Sequence, residues 1–149
     1  MLICHDEKEL TFQLFGRVLL ILEAIIRRNI FKLKTRHVGL VPVDGKGLTL
    51  TEELGRAQIV YVTPSHQFPT TATMPLDRRM ELLKLASQHD TIVIEDDYEF
   101  ETNYVNEPCP ALKSLDDEGR VIYVGSLSKT LFPGLRLGFL VGPKKLVAE

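Results

Sequence analysis

The sequence holds only two cysteines in 149 residues, Cys4 and Cys109, and four histidines. There is no Cys-x-x-Cys pair. A disulfide scaffold needs several paired cysteines, and a zinc ribbon needs clustered Cys and His ligands, so neither fits. No charge of one sign dominates either. Eighteen basic residues face 20 acidic ones, a formal net charge of -2. That argues against nucleic-acid binding through bulk positive charge, and it gives little support to a membrane-surface role. Long apolar runs are also missing. The most apolar stretch, residues 10–31, is broken by Arg17, Glu23, Arg27 and Arg28. Its uncharged runs fall far short of the ~20 residues that a spanning helix needs. The charged start, Met1 to Glu9, has none of the basic, apolar and small-residue order of a signal peptide. Neither an internal repeat nor a low-complexity segment is visible. The expectation is a cytoplasmic protein with free thiols and no membrane partner.

What is present is the material of a globular core: 44% hydrophobic and 26% charged residues, in one domain's length. Residues 10–30 carry apolar side chains at helical spacing, from Leu14 through Val18, Leu22 and Ile26. The run Val18 to Leu22 would also serve as a buried strand, and periodicity does not separate the two. Val38 to Val43 reads as a short strand, and Asp44-Gly45-Lys46-Gly47 as a turn. Gln58–Thr63 (QIVYVT) is a β-branched strand. Leu76–His89 reads as a helix opened by Pro75, with Leu76, Met80, Leu82, Leu83, Leu85 and Ala86 facing inward. Thr91–Glu95 (TIVIE), Arg120–Gly125 (RVIYVG) and Arg136–Gly142 (RLGFLVG) are three further strands, and TIVIE has the continuous apolar character of a strand buried on both faces. A turn falls at Asp116 to Gly119, and Pro143 begins another helix. The order implies an α/β domain with a largely parallel sheet.

In such sheets ligands lie beyond the carboxyl ends of the strands. Three clusters fall there: Pro64-Ser65-His66-Gln67, Asp96-Asp97-Tyr98 and Ser126-Leu127-Ser128-Lys129. The acidic run from Glu95 to Glu101 could be a solvated loop start, a hard-cation site, or the Mg²⁺ carboxylate of a nucleotide hydrolase. The last needs a phosphate loop. Gly39 to Gly47 has the wrong spacing and lacks the final Ser or Thr. Ser126-Leu127-Ser128-Lys129 matches the Ser-x-x-Lys of serine acyl-transfer enzymes, but their Ser-Asp-Asn and Lys-Thr-Gly elements are absent. Lys129 could be a surface lysine. However, it is flanked by an apolar strand and by Leu131 to Leu135, surroundings that disfavour its charged form and make the amine a nucleophile. With Ser126, Ser128 and the bidentate Arg136, it would suit a phosphorylated aldehyde held as a Schiff base.

These segments resemble a known family. PSHQFPT (64–70), EDDYE (95–99) and SLSKTLFPGLRLG (126–138) are similar to fold-type I pyridoxal-phosphate enzymes, the class I/II aminotransferases. The wording is nearest to the aminotransferase-like domain of MocR/GabR-type regulators, which there follows a GntR-type winged helix. The resemblance covers residues 38–149 and implies part of a three-layer, mostly parallel large domain. Residues 1–37 are left as a divergent segment.

The resemblance also implies roles. Lys129 would form the Schiff base with pyridoxal 5'-phosphate and then shuttle the proton. Asp96 would face the pyridine nitrogen and Tyr98 the ring oxygen. Ser126, Ser128 and Arg136 would hold the phosphate. His66 or Gln67 stands where relatives place an asparagine near the ring oxygen, and Asp97 would be structural. The implied partners are an amino acid or amine and a keto acid, with a homodimer as the assembly. Two readings follow: an amino-group transferase, or an effector sensor that binds an amino compound without turnover.

The sequence also departs from the family. Thr71 stands where relatives carry glycine, a strained choice if the backbone there needs positive φ. Residues 1–37 show neither the family's glycine-containing helix start nor its ring-stacking aromatic. No winged helix or other DNA-binding segment is visible, and the carboxylate-gripping arginine would lie past Glu149. A piece of a larger protein is therefore expected.

Overall fold

A computed structural model describes residues 2–5, 37–67, 70–97, 109–126 and 138–143. Eight strands are seen: β1 Leu2–His5, β2 His37–Leu40, β3 Val43–Asp44, β4 Gly47–Leu48, β5 Ile59–Val62, β6 Ile92–Asp97, β7 Val121–Ser126 and β8 Gly138–Val141. One α-helix, α1 (Leu76–Gln88), and two 3-10 turns, Glu52–Arg56 and Leu112–Leu115, accompany them among the described residues. Among those residues no helix is long and apolar enough to cross a membrane.

Six strands form one sheet in the order β2-β1-β5-β6-β7-β8. β5, β6 and β7 are mutually parallel. β1 is antiparallel to both β2 and β5, so β2 runs in the same direction as β5. Four of the six strands (β2, β5, β6, β7) therefore share one direction, and the expected α/β architecture is present. The four residues of β1 carry no local signal that places them between β2 and β5. The expected helix or strand over residues 10–30 lies outside the described residues.

β8 differs from a further parallel strand. It pairs antiparallel with β7, matching Tyr123 with Val141 and Ser126 with Gly138. Only residues 127–137 join the two strands, and a parallel crossover takes roughly a dozen residues or more. The Phe139 ring lies over Gly125, and a Cβ at that position would force the ring aside. The turn at residues 44–47 closes the β3–β4 hairpin, with Gly47 taking φ +87°.

β6 is buried at all six residues, as a central strand covered on both faces must be. One sheet face sends Val60, Val62, Val93 and Val121 into a core with Leu82 and Ala86 of α1, Leu54 and Leu112. The opposite face gathers Ile59, Ile94 and Val124, with Tyr61 and Leu140 beside them.

The helix buries most of the expected stripe, with Leu82 and Ala86 in the core and Leu83 and Leu85 packed partly buried against it, but Arg79 joins them and two expected residues do not. Arg79, Leu82 and Ala86 face the sheet, while Leu76 and Met80 are about half exposed. Met80 lies 100° around the helix from Arg79, so once Arg79 turns inward Met80 must turn out. After the helix, Asp90 takes the left-handed conformation (φ +56°) that glycine usually supplies at a helix end.

Candidate functional site

The parallel strands β5, β6 and β7 bring their last residues to one edge of the sheet. β5 runs on into Thr63 to Gln67, β6 ends in Glu95-Asp96-Asp97, and β7 ends in Gly125-Ser126. Strand alternation divides the acidic cluster, because neighbouring side chains leave opposite faces. Glu95 and Asp97 lie on the α1 side and Asp96 on the other. The carboxylates therefore do not converge, and among the described residues no group of three His, Cys, Asp or Glu side chains could hold a metal ion.

Glu95 has a structural task. Its two oxygens accept the backbone N–H groups of Leu112 and Lys113, both at 2.8 Å, which fixes the second 3-10 turn against β6. Asp97, read from the sequence as structural, accepts the Tyr123 hydroxyl at 3.4 Å. Asp96 is 5% exposed, and its Oδ2 accepts the hydroxyl of Tyr61 on β5.

Burial pushes all three carboxyls above their ordinary pKa. The N–H groups of Lys113 and Leu112 work against this at Glu95, the Tyr61 hydroxyl at Asp96, and Ser65 at Asp97. Each group therefore binds its proton more tightly folded than unfolded. The stability these groups contribute is greatest in acid and declines as pH rises through the interval between the ordinary and raised values.

Sequence reasoning missed Arg79, which is wholly buried. Its Nε donates to the Met74 carbonyl at 2.9 Å, Nη1 to that of Pro110 at 2.9 Å and Nη2 to that of Pro64 at 3.1 Å. Nη1 also lies 3.9 Å from Glu95 Oε1. One guanidinium thus ties both ends of the loop after β5 to the segment entering the second 3-10 turn. A charged residue inside an otherwise amphipathic helix reads as solvent-facing, and only the three carbonyls reveal its direction.

The loop after β5 closes on itself. Gln67 donates its N–H to the Ala72 carbonyl at 2.9 Å and accepts the Thr71 N–H at 2.6 Å, while Thr73 Oγ1 donates to the Ser65 carbonyl at 3.2 Å. Gln67 is buried and His66 half-buried. Ser126, the last residue of β7, is also half-buried. Thr71 adopts φ +61°, the left-handed conformation that the sequence flagged as strained for this residue. Left-handed backbone costs a non-glycine residue roughly 1–2 kcal/mol, and the extra unfolded-state freedom of glycine returns part of that. Thr71→Gly is therefore expected to raise stability by about 0.5–1 kcal/mol, read as a higher urea midpoint. A lower midpoint would contradict the strain. Tyr98, Ser128, Lys129 and Arg136 lie outside the described residues.

The model of the family Aminotransferase class I and II matches residues 39–149. The chain belongs to the class I and II aminotransferase family. Among curated relatives of this family member, the HTH-type transcriptional regulator TauR of Rhodobacter capsulatus is 51% identical over 108 residues, covering 72% of this chain and 22% of TauR. Aromatic-amino-acid aminotransferase 1 of Thermococcus litoralis is 38% identical over 119 residues, covering 73% of this chain and 28% of the relative. Kynurenine aminotransferase of Pyrococcus horikoshii, solved with PMP, superposes with a TM-score of 0.67 at 43% identity over 71% of this chain and 29% of that one. The aminotransferase-family chain thus spans less than a third of the length of the relatives it matches. Its fold is that of the fold-type I large domain in part, and the family is one of pyridoxal-phosphate chemistry.

The donor set fits that cofactor. A buried carboxylate met, among the described residues, by a phenol at the end of the central parallel strand suits a cationic ring nitrogen. The hydroxyl-bearing end of β7 is the next strand along.

Proposed function

We propose that this chain carries the pyridoxal-phosphate site of an aminotransferase-type protein, which moves an amino group between an amino acid or amine and a keto acid. The observation that carries the reading is Asp96: a carboxylate kept buried at the carboxyl end of β6, away from the structural pair Glu95 and Asp97. Pyridoxal phosphate, when bound, supplies an electron sink for negative charge developing at the substrate carbon. Asp96 would hold the proton on the ring nitrogen through a charge-assisted hydrogen bond, worth about 1.5–3 kcal/mol. Tyr98 would donate to the ring oxygen, and His66 or Gln67 would approach it from the loop after β5. Ser126, Ser128 and Arg136 would bind the phosphate. The Lys129 amine would anchor the cofactor and then carry the proton during transfer. In this reading residues 38–149 are part of a large domain, residues 1–37 are a divergent segment whose β1 joins the same sheet, and the whole protein pairs as a homodimer.

A second reading is favoured by one observation: the 51% identity to TauR exceeds the 38% to the Thermococcus litoralis aminotransferase. There the same residues would hold the cofactor and an amino compound, and report its presence without turnover. Both readings require cofactor binding through Lys129. Pyridoxal phosphate added to the purified protein is expected to give a visible absorption band that Lys129→Ala lacks. Equal spectra would remove both readings. Transfer of the amino group to an added keto acid then favours the enzyme, and a stable spectral change without transfer favours the sensor.

A further inference from the structure

Asp96 alone does not account for the geometry around it. Tyr61 sits on β5 beside Ile94 of β6, and Asp96 lies two residues further along β6 on that same face. The Tyr61 ring packs against Ile59, Ile94 and Val124. Packing therefore sets the ring's direction, and the hydroxyl reaches Asp96 Oδ2. We propose that Tyr61 is the positioning residue for Asp96: its phenol fixes Oδ2 and leaves Oδ1 as the oxygen that meets a cationic ring N–H. The inference rests on the cofactor reading above and adds a residue to it.

The physical need for such a partner is plain. A carboxylate this deeply buried is driven towards its neutral form, and a neutral carboxyl holds a ring cation poorly. Among the described residues, burial and the Tyr61 hydrogen bond act on Asp96 in opposite directions. Among the described residues, the other ionisable groups near this end of β6 include Glu95 and Asp97 on its opposite face, Tyr123 from β7 bonded to Asp97, and Arg79 from α1 behind them. Tyr61 is the donor to Asp96 among the described residues. It would keep the carboxylate ionised near neutrality and aimed in one direction.

Tyr61→Phe removes the hydroxyl and leaves the ring's packing. The experiment is a carbon NMR titration of aspartate-labelled protein, with Asp96→Asn assigning the resonance, alongside pyridoxal phosphate affinity measured across pH. In Tyr61→Phe the Asp96 midpoint is expected to rise by about one to two pH units. Affinity at neutral pH is expected to fall about tenfold or more, and to recover as the pH is raised past the new midpoint. An unchanged midpoint overturns the proposal whatever the affinity does. A raised midpoint with affinity lost equally at every pH overturns it too, since that is the mark of a merely structural role.

If the wild type binds no pyridoxal phosphate, the cofactor reading fails, and the titration alone decides whether Tyr61 governs Asp96. Should Tyr61→Phe not fold, 3-fluorotyrosine incorporated into the wild type makes the phenol a stronger donor. The Asp96 midpoint should then fall, and an unmoved midpoint overturns the proposal.

Discussion

Replacing Arg79 with methionine is expected to destabilise the protein by about 3–5 kcal/mol, the loss typical of removing one partner from a buried charged network. Methionine fills much of the volume, so the loss is one of hydrogen bonds and charge. The carbonyls of Met74 and Pro110 lose this donor at once, while that of Pro64 keeps the Met74 N–H. Each buried acceptor left unpaired costs about 1–3 kcal/mol before relaxation. Glu95 also loses its nearby cation. Burial already raises the Glu95 pKa, and Arg79 is among the groups that hold it down. Without Arg79 the Glu95 carboxyl moves further up. The deficit of Arg79→Met should therefore be smallest in acid and grow as pH rises through the carboxylate range. Urea unfolding at several pH values measures both effects. A loss below about 1 kcal/mol would mean the carbonyls find water instead. Arg79→Lys should not rescue, because an ammonium lacks the planar fork that reaches three acceptors.

The second large effect is on the cofactor. Asp96→Asn is expected to weaken pyridoxal phosphate binding by about ten- to a hundredfold, the equivalent of a charge-assisted hydrogen bond of about 1.5–3 kcal/mol. Any amino-group transfer should vanish, since a neutral amide cannot keep the ring nitrogen protonated. The fold should survive, because the asparagine carbonyl still accepts the Tyr61 hydroxyl. An absorbance titration with pyridoxal phosphate reads the affinity. Unchanged binding in Asp96→Asn would take this residue out of the ring-nitrogen role.

Much of this arrangement is legible in the amino-acid sequence, and the reasons differ by element. QIVYVT, TIVIE and RVIYVG announce strands because their β-branched residues crowd a helix and suit a pleated surface. Their observed cores are Ile59–Val62, Ile92–Asp97 and Val121–Ser126. The meeting of three clusters at one sheet edge follows from those strands being parallel. Thr71 was legible as strain because its neighbours match a motif that carries glycine there.

Other features leave no local trace. β1 is four residues long, and it is placed by pairing with residues far along the chain. Arg79 looks like any solvated helix residue until the carbonyls of Pro64, Met74 and Pro110 surround it. The reversal of β8 depends on how short the link from β7 is, which strand periodicity does not register. Tyr61 lies between these cases. Alternation puts Tyr61, Ile94 and Asp96 on one face once the register of β5 and β6 is known, and one sequence alone does not supply that register.

The claim that joins these residues is that Lys129 anchors the cofactor beside Asp96. Borohydride reduction of the protein mixed with pyridoxal phosphate, followed by peptide mass analysis, tests it most directly. The account predicts one equivalent of the reduced cofactor on the peptide that holds Lys129, and far less in Asp96→Asn. Label spread over exposed lysines such as Lys46 and Lys84, with none concentrated on Lys129, would contradict it.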